Sequence, residues 1–95
     1  MDIPDEPIEI KKQIVEMGRH ALAIWWGNKL QRYLWNTWKD SLTKKDFTWP
    51  KFIKLLKYKT GYASLWIQDE ISWEKFTKEI IKSIEGDLGK NIDKV

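Results

Sequence analysis

The chain has no cysteine and a single histidine, His20, among its 95 residues. Missing thiols exclude a disulfide framework and a thiolate metal site, and they agree with a reducing compartment. One imidazole excludes a two-histidine metal motif of the HExxH type, and His20 itself follows Glu16 by one helical turn, an ordinary surface pair. The longest unbroken apolar run is Ala21–Trp26, far short of the roughly 18 residues that span a bilayer. The opening MDIPDEPIEI is acidic, with neither the basic nor the apolar region of a secretory leader. These absences lead to the expectation of a soluble, cytoplasmic chain with no membrane partner.

Aromatic side chains are abundant instead. Seven Trp, three Phe and three Tyr stand among Ile and Leu at helical spacings, enough to build one dense core, and a chain this short holds only one. The heavy use of Lys, Ile and Glu is that of a thermophile or of an AT-rich genome. Net charge is +3, but it is unevenly spread. Between residues 43 and 62, Lys44, Lys45, Lys51, Lys54, Lys57 and Lys59 face Asp46 alone, a local charge of +5. Such a patch attracts polyanions.

The pattern along the chain predicts an all-α fold, a compact bundle of about four helices plus a short connecting helix or turn. Residues 1–6 read as an acidic arm, residues 7–86 as one helical domain, and residues 87–95 as a flexible polar tail. Pro7 suits a first helical turn, and Asp5, Glu6 and Glu9 suit the positive end of a helix. Asp2, Asp5, Glu6 and Glu9 could be imagined as a hard-metal site, but helix-end electrostatics account for them without one. Ile10, Ile14, Met17, Ala21 and Ile24 share one face, whereas Leu22, Trp26, Leu30, Tyr33, Leu34 and Trp38 fall nearly opposite. A stripe changes sides at a break, and Gly27-Asn28 supplies one, giving helices over 7–26 and 29–42. The alternative is one long helix buried on both sides, as in a homodimer.

The clearest internal signal is a similarity at a spacing of 24 residues. Asp46–Leu56 aligns with Glu70–Ile80, with Trp49 matching Trp73, Lys51 Lys75, Phe52 Phe76 and Lys54 Lys78. Each copy reads as a helix start: Thr48 or Ser72 as N-cap, then Trp, with Phe47/Phe52 or Ile71/Phe76 as a hydrophobic staple. Two helices that need the same start account for the similarity without duplication. The first is expected over 49–59, stopping at Thr60-Gly61, and the second over 73–85, stopping at Gly86. Ala63–Glu70 forms the short connector.

Nothing in the chain is arranged for catalysis, and neither a catalytic residue, a metal ligand nor a cofactor site is assigned. Gly86-Asp87-Leu88-Gly89-Lys90 is too short for a phosphate loop, and Asn91 stands where Ser or Thr would be needed. Asp69 and Glu70 are neighbours that diverge on a helix. A helix-turn-helix reading of Leu55–Ile71 would use Leu56, Gly61 and Ile67. It meets Lys57 where a small residue belongs, and a recognition helix with two acids and no base.

What remains is basic and aromatic interleaving. Lys51, Lys54 and Lys57 share an arc with Tyr58, while Trp49, Phe52, Ile53 and Leu56 turn inward. Lys29, Arg32 and Asn36 lie near Trp25. Rings beside bases suit single-stranded nucleic acid, which stacks on the one and lays its phosphates on the other. The expected binding residues are therefore Lys44, Lys45, Lys51, Lys54, Lys57, Lys59, Tyr58, Lys29, Arg32 and Trp25. Trp49 and Trp73 read as core, and Trp25, Trp35 and Trp66 as candidates for exposure. Exposed Trp and Tyr equally suit a protein–protein interaction module, whether inhibitor, homodimer or structural subunit.

Overall fold

The computed structural model describes residues 2–18 and 29–93. Every regular element within them is a helix: α1 (Ile8–Met17), α2 (Gln31–Thr43), α3 (Trp49–Lys57), α4 (Thr60–Ile67) and α5 (Trp73–Asp93). The expected all-α bundle is what forms, but the connector expected over Ala63–Glu70 is a helix three residues earlier, Thr60–Ile67, and the helix before it ends at Lys57 instead of residue 59. The Gly27-Asn28 break and the residues Ala21–Trp26 lie outside the described residues.

The two similar segments start α3 and α5 alike. The Phe52 amide donates to the Thr48 carbonyl at 3.0 Å, and the Phe76 amide donates to the Ser72 carbonyl at 3.1 Å. Ser72 also caps α5, its Oγ accepting from the Lys75 amide at 3.1 Å. Thr48 takes the extended N-cap conformation (φ −93°, ψ 165°) but makes no side-chain capping bond. Pro50 occupies the first turn, where an amide proton has no helical partner to lose. Phe47, Phe52 and Phe76 are buried in the core and Ile71 is half-buried against it, as the staple positions require.

Helix ends depart from the sequence expectation, and for one reason. Glycine is the expected stop, but two of the real stops are aspartates. Asp46 (φ 58°) and Asp69 (φ 59°) take the left-handed conformation. After α2 the Phe47 amide donates to the Leu42 carbonyl at 2.9 Å and Asp46 to Thr43 at 3.2 Å. After α4 the Glu70 amide donates to Leu65 at 2.9 Å and Asp69 to Trp66 at 3.1 Å. Both are Schellman stops, with Asp where Gly is usual. Gly61, by contrast, lies inside α4. The chain turns from α3 to α4 through Tyr58 (φ −76°, ψ −12°) and Lys59 (φ −104°, ψ 9°), so no left-handed residue is required. Gly86 lies inside α5, which runs on to Asp93 rather than stopping at residue 85. The first helix, expected to reach residue 26, ends at Gly18 (φ 82°).

These ends carry a prediction. Asp46→Gly relieves a left-handed Asp, and Gly61→Ala removes backbone freedom where an added Cβ meets nothing within 4 Å. Each is expected to stabilise by about 0.5–1 kcal/mol. Thermal unfolding followed by Trp emission should rise by about 4–8 °C per kcal/mol. A lower midpoint in either variant would contradict the assignment of these turns.

The core is built from spaced stripes. α2 contributes Leu34, Trp38 and Leu42, with Leu30 just before it, α3 Phe52 and Leu56, α4 Ala63 and Trp66, and α5 Trp73, Phe76, Ile80 and Ile84. Met17, expected on the inner face of the first helix, is 55 % exposed, whereas Ile14 is buried. Each similar segment seeds an aromatic cluster. Trp35 lies 5.5 Å from Trp49 and 5.3 Å from Phe52, while Trp73 lies 4.8 Å from Trp66 and 5.4 Å from Phe76. Pairs at such distances add about 0.5–1.5 kcal/mol beyond their buried area.

The acidic arm is part of this body. Residues 2–7 lie across the aromatic groups in non-helical conformation, with Pro4 buried. Trp73 Nε1 donates to the Pro4 carbonyl at 2.7 Å, Trp66 Nε1 to Glu6 Oε1 at 2.9 Å, Trp38 Nε1 to the Asp2 carbonyl at 2.5 Å, and the Tyr33 hydroxyl to the Asp5 carbonyl at 2.5 Å. Buried indole N–H groups need acceptors, and the arm supplies two backbone carbonyls and one carboxylate oxygen. Lys11 adds ion pairs with Glu6, at 3.9 Å, and with Asp69. Burial first, and the negative charge of Asp5 second, raise the Tyr33 pKa above its ordinary value.

Candidate nucleic-acid interface

The amphipathic character of α3 positions the basic residues. With Phe52 and Leu56 buried against the bundle, Lys51, Lys54 and Lys57 are left exposed. Residues 51, 54 and 58 are spaced three and four apart and so share one face. α3 packs against α5, and between them lies an open cleft of about 550 Å³ lined by Lys51, Lys54, Leu55, Tyr58, Lys59, Ser83, Gly86 and Asp87. Tyr58, at 79 % exposure, is the most exposed of the large apolar side chains in the described residues. Lys51 Nζ reaches the Asp46 carbonyl at 3.4 Å, and Lys59 Nζ stands 5.1 Å from the Tyr62 ring centroid.

Four of the expected binding residues, Lys51, Lys54, Tyr58 and Lys59, therefore meet at one place. Lys44 and Lys45 are exposed on the turn between α2 and α3, and Lys57 is exposed on α3 without lining the cleft. Lys29 and Arg32 belong to a different depression, with Ile10, Tyr33 and Asn36. Trp25 lies outside the described residues. Trp66, a candidate for exposure, is fully buried, because the arm and α5 cover it. Trp35 and Trp49 are both half-buried in one cluster, so Trp49 is less of a core residue than expected.

Sequence reasoning missed Ser83, Gly86 and Asp87, the wall facing the lysines. Their spacing of three and four was visible, but nothing local said which helix they would face. Among the described residues no group of three or more acids or histidines converges as a metal site would require. Nor is any helix of the described residues long and apolar enough to cross a membrane. Fold and cleft together define a small helical domain with a cationic, aromatic-edged groove. No protein-family model, curated protein or solved structure matches this chain.

Proposed function

We propose that this protein binds single-stranded nucleic acid, with the strand's phosphates on Lys51, Lys54 and Lys59 and a base against Tyr58. The observation that supports this most is the placing of those three cations and one open tyrosine ring around a single cleft. Ammonium groups neutralise phosphates without regard to sequence, and an exposed ring offers a face to an unpaired base. A concave site suits an unpaired base better than a duplex, whose bases are stacked inside. Lys44, Lys45 and Lys57, exposed on the adjoining turn and helix, extend the charged track. The role is that of an accessory binder, not of an enzyme. The rival reading, a protein-interaction module anchored on exposed Trp, loses Trp66 as an anchor, since that ring is buried.

Fluorescence anisotropy of labelled single- and double-stranded oligonucleotides across a salt series tests the proposal. Single strands should bind more tightly, with log K falling linearly against log salt at a slope of about −0.7 per phosphate neutralised. Three to six such phosphates give a slope of roughly −2 to −4. Trp emission should change little, because the ring offered is a tyrosine. No binding at low salt would refute the reading.

A further inference from the structure

Phosphate binding explains one wall of the α3–α5 cleft and leaves the other unexplained. Ser83 and Asp87 stand four residues apart on α5, hence on one helical face, and both line the cleft. The Ser83 hydroxyl donates to the Glu79 carbonyl at 3.0 Å. Its single proton is thus engaged, and what its oxygen offers the cleft is lone pairs. Asp87 is half-buried, and among the described residues its carboxylate makes no ion pair or hydrogen bond. An ionised carboxylate only accepts. Among the described residues, the α5 wall therefore presents hydrogen-bond acceptors, Ser83 and Asp87, to the lysines lining the same cleft. A site for phosphate alone has no use for it, since the carboxylate repels the anion that the lysines attract. A ligand that carries an anion at one end and N–H donors at the other satisfies both walls.

We infer that the cleft reads one unpaired base of the bound strand and selects bases with an exocyclic amino group, above all cytosine over thymine. This rests on the nucleic-acid reading given above. The amino group donates to Asp87 and Ser83, the ring lies against Tyr58 and Leu55, and the flanking phosphates sit on Lys51, Lys54 and Lys59. A carboxylate accepting from the cytosine amino group is a known form of base recognition. Thymine presents a carbonyl oxygen at that position, which would leave two sets of lone pairs opposed. Sites built to accept a hydrogen bond reject the analogue that lacks the donor. The volume, about 550 Å³, lies within the range of roughly 300–1,000 Å³ typical of small-ligand sites.

The test compares oligo-dC with oligo-dT of equal length, about 12 nucleotides, by anisotropy on the full chain at neutral pH and one salt concentration. The wild type should bind oligo-dC about tenfold or more tightly than oligo-dT. Asp87→Asn, checked for retained helicity, should abolish that ratio and tighten oligo-dT, because a negative charge leaves the lysine cleft. Should Asp87→Asn fail to fold, the wild-type comparison decides alone. Equal binding of the two strands by the wild type, or a preference that survives Asp87→Asn, overturns this inference and leaves the lysine cleft standing. Binding of neither strand at low salt overturns the nucleic-acid reading, and this inference with it.

Discussion

Trp73→Ala is expected to destabilise the fold by about 3–5 kcal/mol, the range for truncating a buried large aromatic. Trp73 is 6 % exposed and packs on Trp66, Phe76 and Tyr33. Its loss leaves a void at the centre of one aromatic cluster and also removes the donor that holds the Pro4 carbonyl at 2.7 Å. Against a total stability of roughly 5–15 kcal/mol for a domain, that is a large part of the whole. Thermal melting should fall by about 4–8 °C for each kcal/mol of destabilisation. Trp73→Phe separates the two contributions. It keeps most of the ring packing and costs about 1–3 kcal/mol, mainly through an acceptor left unsatisfied. In a chain shortened by residues 1–6 the Trp73→Phe cost should shrink, since the acceptor is gone. An undiminished cost would mean that the arm is not what the indole holds.

Replacing Lys51, Lys54 and Lys59 together by Gln is expected to weaken single-strand binding about 100-fold at low salt. Each ammonium–phosphate pair near 4 Å in water is worth about 1 kcal/mol, and three such pairs amount to roughly two powers of ten. The salt slope should become shallower by about 2, or roughly 0.7 for each phosphate left without its ammonium partner. Lys51 and Lys54 are exposed and Lys59 lies at the edge of a turn, so folding should survive. Lys57→Gln, on the same helix but outside the cleft lining, should cost less than any one of the three. Equal effects at Lys57 and at the cleft lysines would mean a diffuse charge effect, with no role for the cleft. Unchanged slopes in the triple variant would remove the lysines from the binding site altogether.

Comparing α5 with the N-terminal arm shows how much of the fold is legible in the sequence. Trp73, Phe76, Ile80 and Ile84 recur at helical spacing, and all four are buried. The stripe is written in neighbours three and four apart, and its reading needs no knowledge of the rest of the chain. The arm is legible only as an acidic, proline-bearing segment. Its partners Tyr33, Trp38, Trp66 and Trp73 lie 28, 36, 60 and 69 residues away from the atoms they hold. No local pattern links them. Glycine misleads at Gly61 and Gly86 because its freedom permits a left-handed stop without demanding one, whereas Asp46 and Asp69 take that conformation under Schellman bonding.

Helical class, the two similar helix starts, the inward stripes of α2, α3 and α5, and the position of the basic segment were all determined by the sequence. Each follows from interactions within about one or two turns of chain, which periodicity and capping chemistry express directly. The tertiary structure alone decided that Trp66 is covered, that the arm closes over three indoles, and that Ser83 and Asp87 stand opposite the lysines of α3. Such pairings depend on how helices cross and pack, and side chains far apart in sequence meet only when the whole core is closed.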